Sequence, residues 1–168
     1  MVSVSESRVI PAPDHEVWKA LADVENARKW NGAWTRIELT SPQRHGLGTT
    51  FAAHTEGGDV FEFEITEWTP TERIAFSPIR GEGERFAIML ERHEFQLSPA
   101  GEGLTAVKLT AHATAHGLKG HLIARLFWPG YQKQGLKVAL DGLQAGFRPE
   151  TETQTEEEAA ESGSPAAE

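Results

Sequence analysis

Cysteine is absent from the 168-residue chain, which removes disulfide staples, thiolate metal ligands and thiol nucleophiles together. Basic residues are in short supply, 16 against 25 acids for a net charge of −9. A surface of that sign repels phosphate backbones and anionic lipid, so nucleic acid is not an expected partner. No apolar run approaches the ~20 residues that a membrane span requires, and no integral span is expected. The chain has no Gly-x-Gly-x-x-Gly, no Gly-Lys-Ser/Thr and no Gly-x-Ser-x-Gly, so nothing signals a dinucleotide fold, a phosphate loop or a nucleophile elbow. The opening Met1-Val-Ser-Val-Ser-Glu lacks a basic segment followed by an apolar one, and a cytoplasmic location is expected.

What is present is enough to build one core. Hydrophobic residues make up 39% and include eight Phe and five Trp, and the length is that of one domain. The charge is uneven. From residue 149 onward there are seven acids and no base, whereas residues 1–148 carry 18 acids and 16 bases. Residues 149–168 therefore read as a disordered acidic tail, and residues 1–148 as the folded domain.

Val2, Val4 and Ile10 with interleaved polar residues predict a first strand. Pro11-Ala-Pro-Asp14 ends it and opens a helix whose apolar side is Val17, Trp18, Leu21 and Val24, with Pro13 at its first position. Asp23 then caps a short turn reaching Trp30, and Asn31-Gly32 closes it. Beyond Trp34 the hydrophobic period becomes two. Six further strands are expected over 34–41, 49–55, 60–68, 73–78, 85–97 and 104–115, with breaks that include Gly81–Gly83 and Pro99–Gly101. After Gly117 the period returns to three and four, through Leu118, Leu122, Leu126, Leu136, Leu140, Leu143 and Phe147. This predicts a helix of about thirty residues that Pro129 and Gly130 kink.

This order resembles the helix-grip fold of the START-like, polyketide cyclase/dehydrase (SRPBCC, Bet v 1-like) superfamily. The resemblance rests on Ile10-Pro-Ala-Pro-Asp-His-Glu-Val-Trp18, Trp30, Gly46-Leu-Gly-Thr49, Glu67-Trp-Thr-Pro70 before Ile74 and Phe76, and Phe95-Gln-Leu-Ser-Pro-Ala-Gly-Glu-Gly-Leu-Thr105. It implies an α+β class: a curved antiparallel sheet of about seven strands around a long C-terminal helix, with short helices after the first strand. It also implies a cavity between sheet and helix for a lipid, isoprenoid or aromatic, polyketide-like molecule, with no cofactor. Two alternatives remain: a cyclase, aromatase or dehydratase using polar groups in the cavity, and a protein-interaction module of the same fold. Catalysis is the less favoured expectation, because the catalytic groups of the enzymatic members do not map onto this chain.

The candidate ligand-binding residues are Trp30, Phe61, Phe63, Phe76, Met89, His93, Phe95, Leu122, Phe127 and Tyr131. The phenylalanines and Met89 are expected to point inward from strands, and Leu122, Phe127 and Tyr131 from the helix. His93 shares the parity of Phe95 and Leu97, and an imidazole in an apolar cavity can bind a carbonyl or hydroxyl, or move a proton near neutral pH. Tyr131 is a second candidate hydroxyl, with His54 and Glu67 behind it. Trp30, Trp34 and Trp128 are placed to gate a mouth. His112, His116 and His121 do not make a metal site: the first two stand about 13 Å apart if extended, and no acid lies between 109 and 124 to complete a set.

Overall fold

The computed structural model describes residues 1–79 and 87–148. The turn expected at Gly81–Gly83, the start of the strand expected from Arg85 and the acidic tail lie outside the described residues. Seven strands form one antiparallel sheet: β1 (Val2–Ile10), β2 (Trp34–Leu39), β3 (Thr50–Thr55), β4 (Val60–Thr69), β5 (Arg73–Pro78), β6 (Ile88–Gly101) and β7 (Leu104–Ala115). Their spatial order is β1-β7-β6-β5-β4-β3-β2, so β2 to β7 form a meander and β1 closes the far edge. Since β1 and β2 are opposite edges, the chain between them must cross the sheet. It does so with α1 (Asp14–Ala22) and a 3-10 turn (Val24–Lys29).

α1 starts at Asp14 with Pro13 as its flanking residue, one position later than Pro13 as first helical residue. Asp23 leads into the 3-10 turn without a side-chain cap on the backbone; its carboxylate instead accepts from Asn26 Nδ2 at 2.7 Å. The strand break expected at Pro99–Gly101 does not occur, because β6 runs on to Gly101 and absorbs the irregularity as a register shift. The C-terminal helix is two helices, α2 (Gly117–Leu126) and α3 (Trp128–Ala145). The break falls at Phe127, and Pro129 sits in the first turn of α3, where its missing N–H has no partner to lose.

α3 packs mainly on β1 and β7. It runs in the same sense as β1 and is tied to it by polar links: Lys133 to Glu6 at 3.3 Å, Arg8 to Asp141 at 2.7 Å, and Gln144 Nε2 donating to the Val9 carbonyl at 2.8 Å. Leu136, Ala139, Leu140 and Leu143 bury the underside of the helix. One row of α3 faces the crossing chain. A Cβ on Gly142 would lie inside van der Waals contact of the Trp30 carbonyl, and Val138 Cγ1 lies near Gly32. The same row continues, at helical spacing, through Gly135 to Tyr131. A Cβ on Gly135 would meet nothing within 4 Å, so the row loses its neighbours toward the start of α3.

These two glycines should respond oppositely to alanine. Gly142→Ala gains helix propensity but must displace backbone, with an expected loss of roughly 1–3 kcal/mol. Gly135→Ala should gain up to about 1 kcal/mol. Urea unfolding of the two variants checks this, and equal shifts of the same sign would contradict the close approach.

Candidate functional site

On the inner face of the sheet, alternation brings Ile37 and Leu39, Phe51 and Ala53, Phe63 and Ile65, Ile74 and Phe76, Phe95 and Leu97, and Val107 through Ala113 against the helices. Rings join strand to strand across this face. Trp30 meets Phe95 edge-on at 5.4 Å, Phe95 meets Phe76 at 6.0 Å, and Phe76 meets Phe51 at 5.7 Å. Phe51 stacks on Phe63 at 5.6 Å, and Trp34 closes the ring of contacts onto Trp30, Phe51 and Phe63. Trp30 is further held by its Nε1–H, which donates to the Ala20 carbonyl at 3.1 Å. Four of the expected residues, Trp30, Phe63, Phe76 and Phe95, are thus brought together, all buried.

His93 adjoins this cluster. It stands opposite Phe76 on β5 and Ala111 on β7, two residues from Phe95. Those three neighbours are sealed from solvent, yet His93 is only partly buried. Burial lowers its pKa from 6.5 to about 4, aided by repulsion from His112 and opposed by a side-chain hydrogen bond with Gln132 of α3. At neutral pH the imidazole is therefore uncharged, with one nitrogen able to donate and the other able to accept. Gln132 escaped the sequence reading. Its signal was a lone amide between Trp128 and Leu136 in the buried register of the helix. The Thr49 hydroxyl, opposite Ile65, is a second polar group on this face, buried without a hydrogen-bond partner.

The other expected residues lie elsewhere. Met89 is on the outer face: β6 shifts register between Leu90 and Arg92, and the extra residue reverses the alternation, so Ile88 and Leu90 point inward. Phe61 has inward parity opposite Ala53 but is 48% exposed at the end of β4. Leu122, Phe127 and Tyr131 are exposed, contrary to the expected inward stripe. The contact face of α2 is Gly120 with Ala124, two small residues that let its backbone touch Ala87, and this turns the leucines away. Tyr131 therefore does not join His93.

His54 and Glu67 are also outward. His54 Nε2 lies 3.4 Å from Glu38, and Glu67 bridges Arg73 at 3.1 Å and Arg92 at 3.4 Å. Glu94 extends that ladder to Arg92 and His112. Beside it, a half-open hollow of about 410 Å³ is lined by Met1, Glu91, Arg92, His112 and Thr114, on the face opposite His93. Trp128 is buried, packed under α3.

Residues 1–148 match the family model described as polyketide cyclase / dehydrase and lipid transport, and the chain belongs to that family. Solved structures of similar shape include a START superfamily protein from Mycobacterium smegmatis, with TM-score 0.65 and 15% identity, covering 87% of this chain and 99% of that one. The di-domain ARO/CYC protein BexL matches with TM-score 0.71 and 14% identity over 89% of this chain and 48% of its own. Together they define a START-like, helix-grip fold. An uncharacterised protein of Mycobacterium tuberculosis is 30% identical over 90 residues, 54% of either chain. The chain thus spans about half the length of the curated relatives it matches.

The depressed His93 pKa has a consequence for stability. The folded value, about 4, lies below the 6.5 of a free imidazole, so the unfolded chain takes up the proton first as pH falls. Stability from this group is complete above about pH 6.5 and is withdrawn down to about pH 4, by up to roughly 3 kcal/mol. As pH falls through that window, the unfolding free energy of the native chain should decrease relative to that of His93→Leu. Parallel pH profiles would refute the assignment.

Proposed function

We propose that this protein binds an apolar or amphipathic small molecule, of lipid, isoprenoid or aromatic type, between the inner face of the sheet and α3. The observation that carries the reading is His93, an inward residue that keeps part of its surface open among sealed apolar neighbours, with an uncharged imidazole held by Gln132. A histidine in a completely filled core would have no such surface. The rings of Phe76 and Phe95 supply an apolar wall, and the imidazole nitrogen that Gln132 does not engage supplies one polar contact, donor or acceptor according to the tautomer, for a ligand hydroxyl or carbonyl. Entry is by the start of α3, where Gly135 has no facing neighbour and Phe61 stays exposed on the inward side of β4.

This reading is preferred to catalysis on one point of geometry. Acid–base chemistry on a shared substrate atom requires two proton-active groups. The partner that α3 offers His93 is an amide, which orients but does not titrate, while Tyr131 turns outward. The likeness to BexL is one of fold. Absence of a membrane-long apolar helix among the described residues is compatible with action in the cytoplasm.

Native mass spectrometry of the full chain purified from its own host, with extraction of any bound compound, tests the proposal. A reproducible apolar adduct is expected. Gly135→Phe, which places a ring at the proposed entry, should weaken uptake of an apolar fluorescent probe at least about tenfold, a loss of about 1.4 kcal/mol, while folding is retained. Folded protein with neither adduct nor probe uptake would end the reading. Turnover of an added polyketide-like substrate that His93→Ala abolishes would transfer it to the enzymatic class.

A further inference from the structure

The helix α2 is built the wrong way round for a helix that covers a core. Its contacts to the body run through Gly120 and Ala124, the two buried positions. Leu118, Leu122 and Leu126 recur every four residues, and at 100° per residue Leu122 lies 160–200° from those two. The leucines therefore form a stripe on the outward side: Leu118 is 89% exposed, and Leu122 and Leu126 are more than half exposed. Phe127 and Tyr131, 81% exposed, extend the apolar surface past the joint into α3. Lys119 and Arg125 lie about 60° to either side of Leu122 and so flank the stripe.

The charge of the segment that bears this surface is opposite in sign to that of the whole chain. No acid occurs from residue 103 to residue 140, a stretch that holds Lys108, Lys119, Arg125, Lys133 and Lys137. Along the underside of α3 two acids are engaged, Glu6 with Lys133 and Asp141 with Arg8. An apolar stripe bordered by cations, with a phenylalanine and a tyrosine at one end, has the distribution of a helix that lies in the plane of a lipid interface.

We propose that α2 and the α2–α3 joint dock this protein on an anionic bilayer surface, the leucines entering the acyl boundary and Lys119 and Arg125 meeting the head groups. The net charge of −9 does not forbid this, because screening limits the relevant field to nearby charges, and the α2–α3 segment that bears the stripe carries cations and no acid as far as residue 140. The surface stands on exposure and charge alone and does not depend on the interior binding site.

The test is flotation of the full chain with phosphatidylcholine vesicles, with and without phosphatidylglycerol. Flotation is expected only with the anionic vesicles and should fall in high salt. Lys119→Gln with Arg125→Gln should weaken it about thirtyfold, the combined loss for two cations at an anionic surface. Leu118→Ser with Leu122→Ser should abolish it. These side chains are exposed, so thermal unfolding should be unchanged in both variants. No flotation, equal flotation with neutral vesicles, or insensitivity to the leucine changes would overturn the proposal. So would self-association, or capture of a protein partner, that the leucine changes reverse without any flotation. Probe uptake by a chain that does not float would reject this surface and leave the interior reading intact.

Discussion

α3 can lie along only one side of the sheet. Its polar ties to Glu6, Arg8 and Val9 and its apolar underside hold it over β1 and β7, and a straight helix cannot also follow a seven-stranded sheet as it curves away. The inner faces of β2 to β5 must then be covered by something other than helix backbone. Aromatic side chains do it, reaching from strand to strand, Trp34 of β2 among them, and down from the crossing segment at Trp30. The interior exists because two rigid shapes of different curvature share one edge, and its character is set by which side chains fill the wedge between them.

Placed in that wedge, a polar group acquires unusual properties. His93 would be an ordinary titrating imidazole on the outer face, as its neighbours in the charged ladder are free to meet carboxylates and water. Turned inward, it loses the solvation that would support a proton and keeps a hydrogen bond with Gln132. The outer face of the same strands takes the charges, with Glu67, Arg73, Arg92 and Glu94 crossing β4, β5 and β6. Partly exposed pairs of this kind contribute little each, but together they keep the convex side wet and the concave side free for apolar contact.

Family membership and the interior are consistent in class but differ in what they specify. The family and the START-like fold describe a scaffold on which both carriers and cyclases are built, and fold alone does not choose between them. What this chain adds to the scaffold is local: one inward imidazole, an amide partner and a helix α2 whose large apolar side chains face outward. The outward stripe also changes how the net charge is to be read, since seven of the nine net negative charges belong to the final twenty residues and none to the region of α2.

Much of this was legible in residue order. Alternation at Phe61-Phe63-Ile65, the turn glycines and the switch to helical spacing after Gly117 determined seven strands, their meander and the C-terminal helices, because those signals depend only on backbone period and turn chemistry. The inward direction of His93 followed from parity with Phe95 on an unbroken length of strand. Met89 was misplaced because a bulge at Glu91 lies between it and His93, and parity does not survive an inserted residue. Leu122, Phe127 and Tyr131 were misplaced because a helix is assumed to bury its largest apolar residues. Here two small residues, Gly120 and Ala124, allow the closer approach, and only the packing of α2 against Ala87 decides which face is inside.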